Sequence, residues 1–383
     1  MRKYVDLVAI FLLATFLSTS AALAANMEEG ATTWIAAIFT VAGGGWIWRR
    51  TFKAADVYEI WYGTNRRDRI VNTYDNEFGN RLHYGKCKVA IPKGHVFGSI
   101  GSSPLRRWLM RLFSGSDDRL RVQKLLPCSA TEFGKSIGRR LSQFGLEERA
   151  VLVFIHGYNV TFNDAAIRAA QIGFDLKIPG AMALYSWPSS GRVDGYLSDA
   201  DSVAASESFL IEFIERVSNA AGEAKINIIA HSMGNLGLIR ALTLGLAQQR
   251  LSHIRFGQIF LAAPDIDANL FKQLAVVYPK CSDKTTIYMS ATDHALSISN
   301  WVHRNQRTGY TPPVTIVGGV DTVEATNIDV GLLGHGYYAA ASALLYDIAI
   351  LLRSNLPPQK RPGLYSAISE DGDQYWVMRA QAH

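Results

Sequence analysis

From about residue 149 onward, short apolar runs alternate with segments in which apolar positions recur every three or four residues. Each run has the length of a β-strand, and its nearly continuous hydrophobicity is typical of a parallel strand covered on both faces. The segments between the runs have the spacing of amphipathic helices. This alternation predicts an α/β fold, a mostly parallel sheet with helices on both faces. The predicted strands are AVLVFIHG, AMALYSWP, KINIIA, FGQIFLAAP, TTIYMSA and PVTIVGG.

The helices between these strands follow from apolar spacing and capping residues. NDAAIRAAQIGFDL predicts a helix capped by Asn163 or Asp164. Further helices are predicted over about 199–220 and 233–248, and YYAAASALLYDIAILL predicts the last one. Ligands of such sheets bind beyond the carboxyl ends of the strands, so candidate functional residues are expected there.

Residues 55–145 have a different pattern, with short strands and turns. DVYEIWYGTN and GKCKVAIP predict strands, and the polar segment DNEFGNRLHYG at 75–85 predicts a loop between them. We therefore predict a strand-rich N-terminal extension at 55–145. The α/β core follows at 146–356, with a C-terminal tail at 357–383.

The first fifty residues contain two apolar segments. Residues 1–25 have a basic start, an apolar centre and small residues near Ala24, which is the pattern of a secretory signal. Residues 32–48 form a second segment, followed by Arg49 and Arg50 and close to the minimum length of a membrane span. Either the signal is cleaved and the second segment anchors or packs against the protein, or both segments form a membrane hairpin with basic cytoplasmic flanks. We predict membrane association and leave the side of the membrane open.

Composition narrows the function classes. The 383 residues are 48% hydrophobic and 19% charged, as in ordinary globular proteins. The net charge of +6 comes without a basic run interleaved with aromatic residues, which argues against nucleic-acid binding. Three scattered cysteines argue against a disulfide scaffold and a zinc site. No phosphate-binding loop or metal-ligand motif is present, so neither a cofactor nor a metal is expected.

Ser232 is the strongest candidate for chemistry. It lies between a β-branched strand and a predicted helix, in the pentapeptide Ala230-His231-Ser232-Met233-Gly234. The nucleophile elbow G-x-S-x-G requires small residues around the serine, because the chain turns sharply there. Ala230 replaces the first glycine, and Gly234 keeps the second. The alternative is that Ser232 only caps the helix.

A serine nucleophile needs a base and an acid, which follow it in the chain in this fold. His335 is the preferred base, because it lies in a glycine-rich loop between the last predicted strand and the last helix. Asp293 directly follows the strand TTIYMSA and is the preferred acid. Asp265, after the strand before it, is the alternative acid.

The negative oxygen that forms during acyl transfer needs hydrogen-bond donors, and the elbow supplies the backbone N–H of the residue after the serine. That donor is Met233, and the second is expected to be the N–H of Tyr158, in the loop after the first core strand. His156 is expected beside the pocket or as a support of this loop. Trp187 and Tyr196 are expected to line the pocket or to pack against the following helix.

These motifs occur together in one order: VFIHGYNVTFNDAAIRAAQ, YSWPSSG, YLSDADSVAAS, IAHSMGN, AAPDID, YMSATDHAL and GHGYY, preceded by WYGTNR and GKCKVAIPKGHVFGSI. With them the chain resembles a family of poorly characterised bacterial α/β-hydrolases, described as esterase- or lipase-like, over roughly residues 56–350. The resemblance implies the α/β-hydrolase fold and a triad of Ser232, Asp293 and His335. It does not imply a particular substrate.

The sequence therefore predicts a serine hydrolase that cleaves carboxylic esters through an acyl-enzyme. A small-molecule or lipid-like ester is the expected substrate, with the membrane as a partner. Two alternatives stay open: a non-catalytic binding protein of the same fold at the membrane, and an acyltransferase with the same triad.

Overall fold

A computed structural model of the chain describes residues 55–69, 73–103, 106–108, 118–290, 306–325 and 338–379. The chain divides into two compact units, Met1–Ala55 and Asp56–His383, and the described residues belong almost wholly to the second. The apolar segments predicted at 1–25 and 32–48 lie outside the described residues. Within the described ranges, no helix has both the length and the hydrophobicity needed to cross a bilayer.

Strands and helices alternate through most of the second unit. The strands are β1 (Asp56–Asp68), β2 (Tyr74–Ile91), β3 (Arg121–Cys128), β4 (Ala150–Ile155), β5 (Gly180–Ser186), β6 (Lys225–His231), β7 (Phe256–Ala262), β8 (Ser282–Met289), β9 (Asp321–Glu324), β10 (Leu364–Ile368) and β11 (Gln374–Met378). The helices are α1 (Ala130–Leu141), α2 (Phe162–Leu176), α3 (Tyr196–Ala205), α4 (Glu207–Ala221), α5 (Gly234–Ala247), α6 (Ala268–Leu274), α7 (Tyr278–Cys281) and α8 (Tyr338–Ser354).

The described strands form one sheet in the order β10-β11-β9-β8-β7-β6-β4-β5-β1-β2-β3. The central strands from β1 through β5, β4, β6, β7 and β8 to β9 are parallel to one another. Antiparallel pairs occur at the two ends, where β1 pairs with β2, β2 with β3, and β10 with β11. The predicted mostly parallel sheet with an N-terminal strand-rich region is confirmed.

Two apolar layers cover the sheet. On one face Phe213 of α4 and Leu238 of α5 pack against alternate residues of the core strands, including Ile228. On the other face Ile172 of α2 and Leu345 of α8 belong to the second cluster. Full burial of each such side chain contributes about 1.5–3 kcal/mol to stability. The prediction of helices on both faces is therefore confirmed.

The prediction of a loop at 75–85 is wrong, because this segment is part of the long strand β2. It pairs antiparallel with β1, and the polar side chains that suggested a loop lie on the exposed part of this hairpin. Arg67 contacts Asp75 at 2.6 Å, and Arg81 contacts Asp68 at 3.3 Å across the two strands. Cross-strand partners favour a strand in a segment whose composition alone is typical of a turn.

The prediction of a strand at PVTIVGG is also wrong. Residues 313–319 are irregular, and the strand that joins the sheet is β9, which begins at Asp321. Pro312 and Pro313 carry no N–H for a ladder, and Gly318 and Gly319 weaken a strand. The apolar run thus precedes the strand instead of forming it.

Three helical details differ from the sequence predictions. The helix predicted over 199–220 is divided at Ser206, whose hydroxyl accepts a hydrogen bond from Asn65 and donates to the carbonyl of Ser202. The cap of α2 is Thr161, in a reciprocal capping box with Asp164, rather than Asn163 or Asp164 alone. Helix α1 was not predicted, although Ser129 caps it.

The segment after the core also joins the sheet. Arg361 lies just before β10 and donates from Nε to Asp347 Oδ1 of helix α8 at 2.9 Å. The hydroxyl of Tyr288 on β8 donates to Asp347 Oδ2 at 2.6 Å. All three side chains are buried. The C-terminal hairpin is therefore fastened to the last helix and to the sheet by a buried charge pair.

Candidate active site

The candidate residues in the described part of the chain lie at one edge of the sheet. Ile155 at the end of β4 is in register with Ala230 of β6, and Ala230 is in register with Leu261 of β7. The residues that follow these parallel strands therefore emerge side by side. They are the loop after β4, Ser232 after β6, and Asp265 after β7.

Ser232 has a left-handed backbone with φ of +49° and a side chain that is almost fully buried. Such a conformation costs on the order of 1–3 kcal/mol for a residue other than glycine. Neighbouring hydrogen bonds hold it in place. Its N–H donates to the carbonyl of Ala262 at 2.9 Å, and its carbonyl accepts from the N–H of Asn235 at 3.1 Å and of Asp265 at 3.2 Å.

The capping alternative for Ser232 is not observed. Helix α5 begins at Gly234, and the residue at its capping position is Met233, without a side-chain capping bond. The side chain of Ser232 is therefore not used to terminate the helix. The left-handed turn from strand to helix is the geometry that a nucleophile elbow needs.

Two glycines allow the chain to pack closely around Ser232. A Cβ at Gly234 would lie 2.4 Å from the carbonyl oxygen of His156. A Cβ at Gly157 would lie 2.9 Å from the Cβ of Ser232. Ala230, which replaces the first glycine of the motif, is fully buried, and its methyl group is part of the apolar core.

The two backbone N–H groups that the sequence predicts as oxyanion donors lie in the turn after β6 and in the loop after β4. Within the described residues, the N–H groups of Met233 and Tyr158 donate no hydrogen bond. Met233 is only 1% exposed. Buried N–H groups almost always have a partner, so free ones at a strand end indicate a place where a ligand atom binds.

His156 supports the loop that carries Tyr158. Its Nδ1 lies 2.7 Å from the carbonyl oxygen of Gly157, and its Nε2 lies 3.2 Å from Ser186 Oγ. The ring stacks on Trp187 at 5.0 Å, and Trp187 Nε1 donates to the carbonyl of His156 at 2.8 Å. Both side chains are fully buried and contact the backbone of this loop. The sequence predicts His156 beside the pocket or as a support of the loop, and Trp187 in the pocket or against the following helix. Burial and the Arg66 charge hold the pKa of His156 well below 6.5, so its ring is neutral.

Tyr196 and Asp265 belong to a buried polar cluster at the same edge, together with Arg307. The hydroxyl of Tyr196 donates to Asp265 Oδ2 at 2.8 Å, and Arg307 Nε lies 3.0 Å from Asp265 Oδ1. Arg307 Nη2 also donates to the Tyr196 hydroxyl at 2.9 Å. The rings of Tyr158 and Tyr196 meet edge to face at 5.3 Å. Asp265, the alternative acid, is thus part of a buried ion pair.

The preferred acid and base, Asp293 and His335, lie outside the described residues, and their roles stay predictions. Asp293 follows β8, the neighbour of β7, and His335 precedes α8 by three residues. Among the described histidines near the serine, His231 has no hydrogen-bond partner on either ring nitrogen within the described residues. Burial, together with the Arg168 charge, lowers the pKa of His231 to about 3. Its ring is therefore neutral and does not activate Ser232 by hydrogen bonding.

Two functional candidates, Arg66 and Asp199, were not identified from the sequence. Arg66 is completely buried and contacts the loop after β4. Asp199 accepts from Ser189 Oγ at 2.5 Å and from the N–H groups of Ser190 and Asn159. The only signal for Arg66 was its place in WYGTNR, because no strand pattern shows that its side chain turns inward.

Clefts of about 420 and 450 Å³ lie at the opposite edge of the sheet, where Gly180 and Lys225 begin their strands. They are separate from the end that carries Ser232. No cluster of three or more histidine, cysteine or carboxylate side chains that could hold a metal occurs among the described residues.

The match to a family model agrees with this architecture. Residues 129–354, more than half of the chain, match the model of a family described as alpha/beta hydrolase of unknown function (DUF900). No curated protein matches the chain. A crystal structure of Aspergillus fumigatus lipase B is similar over 56% of this chain and 56% of its own, with 13% identity and a TM-score of 0.36. The chain thus spans little more than half the length of that lipase.

Proposed function

The chain belongs to this family of α/β-hydrolases, and on that premise we propose that it is a serine hydrolase that cleaves carboxylic esters with Ser232 as nucleophile. One observation carries the proposal: Ser232 has φ of +49° in the turn between β6 and α5, beside two backbone N–H groups that are free within the described residues. A structural serine does not need this strained conformation.

The proposed reaction has two steps. Ser232 Oγ attacks the ester carbonyl while His335 takes the hydroxyl proton, and Asp293 orients the imidazole. The negative oxygen accepts hydrogen bonds from the N–H groups of Met233 and Tyr158. Collapse of this intermediate breaks the bond to the alcohol, which receives the proton from His335. Water, activated by the same imidazole, then attacks the acyl-enzyme and releases the acid and Ser232.

The test is covalent labelling with a fluorophosphonate, which reacts only with an activated serine. We expect wild-type protein and Ser252→Ala to be labelled, and Ser232→Ala not to be labelled. Ser252 is a matched control because its side chain is exposed and, among the described residues, its hydroxyl contacts only the carbonyl of Gln249. The labelled peptide, identified by mass spectrometry, should contain Ser232.

Two outcomes count against the proposal. Absence of labelling of folded wild-type protein would favour a non-catalytic binding protein, and undiminished labelling of Ser232→Ala would place the nucleophile elsewhere. Turnover of p-nitrophenyl esters of increasing acyl length, with and without an added alcohol, then separates an esterase from an acyltransferase by the product formed.

We also propose that the protein acts at a membrane, because residues 1–25 and 32–48 are apolar and carry basic flanks. Lipid-like esters are then the expected substrates. Reporters fused to the C-terminus, each active on only one side of the membrane, test the topology. If cells are fractionated and none of the full chain is found with the membranes, this part of the proposal is contradicted.

A further inference from the structure

The side chain of Arg66 lies inside the protein between two loops of the active-site edge. It is 0% exposed, and within the described residues each hydrogen bond of its guanidinium goes to a neutral acceptor. Its Nη2 donates to the carbonyl of Val160 at 2.7 Å, and its Nη1 donates to the carbonyl of Ser189 at 3.0 Å. The first acceptor follows β4 and the second follows β5. One guanidinium therefore joins the loop that carries Tyr158 to its neighbour.

A buried charge costs several kcal/mol unless its hydrogen bonds are satisfied. Arg66 Nε donates to Ser186 Oγ at 3.0 Å, and Nη1 also donates to Asn76 Oδ1 at 2.8 Å. Burial lowers the pKa of the guanidinium to about 9, against the opposing charge of Asp199. The group is thus still a cation at neutral pH. The cost of desolvating this cation points to a function that a neutral side chain could not supply.

That function follows from the direction of the hydrogen bonds. A guanidinium can only donate, so Ser186 Oγ accepts from Arg66 and can donate its own hydrogen to His156 Nε2, 3.2 Å away. Arg66 Nη2 also lies 3.5 Å from the same nitrogen. His156 Nε2 is therefore an acceptor, and the hydrogen of the neutral ring resides on Nδ1.

The hydrogen on Nδ1 determines the orientation of the peptide group between Gly157 and Tyr158. Nδ1 lies 2.7 Å from the carbonyl oxygen of Gly157, which belongs to the same peptide unit as the N–H of Tyr158. In a trans peptide the C=O and the N–H point in opposite directions. Holding the Gly157 oxygen against the ring therefore directs the Tyr158 N–H away from it.

We propose that Arg66 is a positioning residue, which sets the tautomer of His156 and so orients the Tyr158 N–H toward the oxyanion. This inference rests on the proposed function. Without the guanidinium, Nε2 could carry the hydrogen, and the lone pair of Nδ1 would face the Gly157 oxygen and repel it. Arg66 lies on β1, which precedes the family-matched residues 129–354, so the proposal extends the set of residues that support the site to this strand.

The strand pairing of β1 places Arg66 at the site. Thr64 is in register with Ser186 of β5, and its Oγ1 donates to the Ser186 carbonyl at 2.6 Å. The pairing of β1 with β2 shifts register between Thr64 and Arg66. A shift of this kind redirects the side chain that follows it.

The experiment compares Arg66→Met and Arg66→Lys with Asn65→Ser in the full chain. Asn65 is an equally buried neighbour, but it bonds to Ser206 and Tyr185 instead of the loop after β4. We expect kcat for a p-nitrophenyl ester to fall about 10- to 100-fold in the Arg66 variants with KM little changed. Affinity for a trifluoromethyl ketone, which forms an oxyanion on the enzyme, should fall in parallel. Asn65→Ser should lower thermal stability while keeping kcat.

A second readout does not depend on catalysis. ¹⁵N chemical shifts of labelled histidines, with His156→Asn for assignment, report which ring nitrogen of His156 carries hydrogen. We expect Nδ1–H in wild type and a shift toward Nε2–H in Arg66→Met. If Arg66→Met does not fold, Ser186→Ala replaces it in the experiment. This variant removes the hydroxyl between Arg66 and His156 but leaves the guanidinium, and it should show the same changes to a smaller extent.

The outcomes separate the two proposals. Folded Arg66 variants with wild-type kcat, or an unchanged His156 tautomer, would overturn the positioning role. If fluorophosphonate leaves wild-type protein unlabelled, the serine hydrolase proposal fails, and the tautomer measurement alone decides whether Arg66 sets the loop.

Discussion

The site depends on the backbone conformation of Ser232, and close packing around this residue explains the neighbouring glycines. A left-handed serine needs the hydrogen bonds from Asn235 and Asp265 to its carbonyl. It also needs Gly234, since the first turn of α5 lies against the end of β4. The sequence indicates this turn through its small residues, but a φ angle cannot be seen in a pattern.

We predict that Gly234→Ala lowers both stability and esterase activity. The new Cβ would lie 2.4 Å from a backbone oxygen, so the strand end must move and the oxyanion donors move with it. The matched control is Gly134→Ala in α1, where the nearest atom is 3.8 Å away and the change should stabilise by roughly 0.5–1 kcal/mol. Urea unfolding and ester hydrolysis of both variants test this, and normal activity of Gly234→Ala would contradict it.

Asparagine substitutions distinguish the two candidate acids. Asp293→Asn should lower kcat by up to about 10⁴ and leave stability nearly unchanged, because the imidazole loses its orienting carboxylate. Asp265→Asn should instead destabilise by about 3–5 kcal/mol, since it leaves the buried charge of Arg307 without its carboxylate. Denaturant unfolding and kcat of each variant check the assignment. A large loss of kcat in a stable Asp265→Asn protein would reverse it.

At the level of elements, continuous apolar runs identified the parallel strands of the core, because burial on both faces leaves a strong local signal. Segment 75–85 was predicted wrongly because its partner strand, and not its own composition, makes it a strand. Segment 313–319 was predicted wrongly for the opposite reason: its apolar residues are half-buried against the core without forming a ladder. The cap of α2, Thr161, lies two residues before Asn163 and three before Asp164, the two predicted caps.

The cap of α2 gives an element-scale prediction. Thr161→Ala should destabilise the protein by about 1 kcal/mol, because it removes the acceptor for the Asp164 N–H and breaks the capping box. Asn163→Ala, at an exposed position within the first turn, should change stability by less than about 0.5 kcal/mol. Chemical denaturation of the two proteins side by side provides the measurement, and equal losses would contradict the assignment of the cap.

On the scale of the whole molecule, the fold class and the edge that carries the site could be predicted from the sequence. The completion of the sheet by β1–β3 at one end and β10–β11 at the other could not, because distant pairing leaves no local pattern. For the same reason Arg66 was missed: its role depends on contacts with residues more than 90 positions later.

Global stability should depend on pH through the buried histidines. Burial lowers the pKa of His231 to about 3, so between this value and the ordinary 6.5 the unfolded chain binds a proton that the folded chain does not. Stability is then fully present above about pH 6.5 and falls as pH decreases, by up to about 1.4 kcal/mol per pH unit for each such histidine. His156 acts in the same direction.

Unfolding by urea at pH 7.5, 6 and 5 tests this dependence. His231→Asn should reduce the slope of stability against pH by one proton relative to wild type. A slope that does not change between the two proteins would show that His231 already carries a proton in the folded state.

The charge pair between Asp347 and Arg361 has a consequence for the order of events during synthesis. Arg361 comes 14 residues after Asp347 and follows the end of the last helix at Ser354, so it emerges from the ribosome after that helix does. Until then, docking of that helix would bury the Asp347 carboxylate with the Tyr288 hydroxyl as a donor but without its cation, at a cost of several kcal/mol. We therefore expect the last helix to dock stably on the sheet only after the segment that carries Arg361 has emerged from the ribosome.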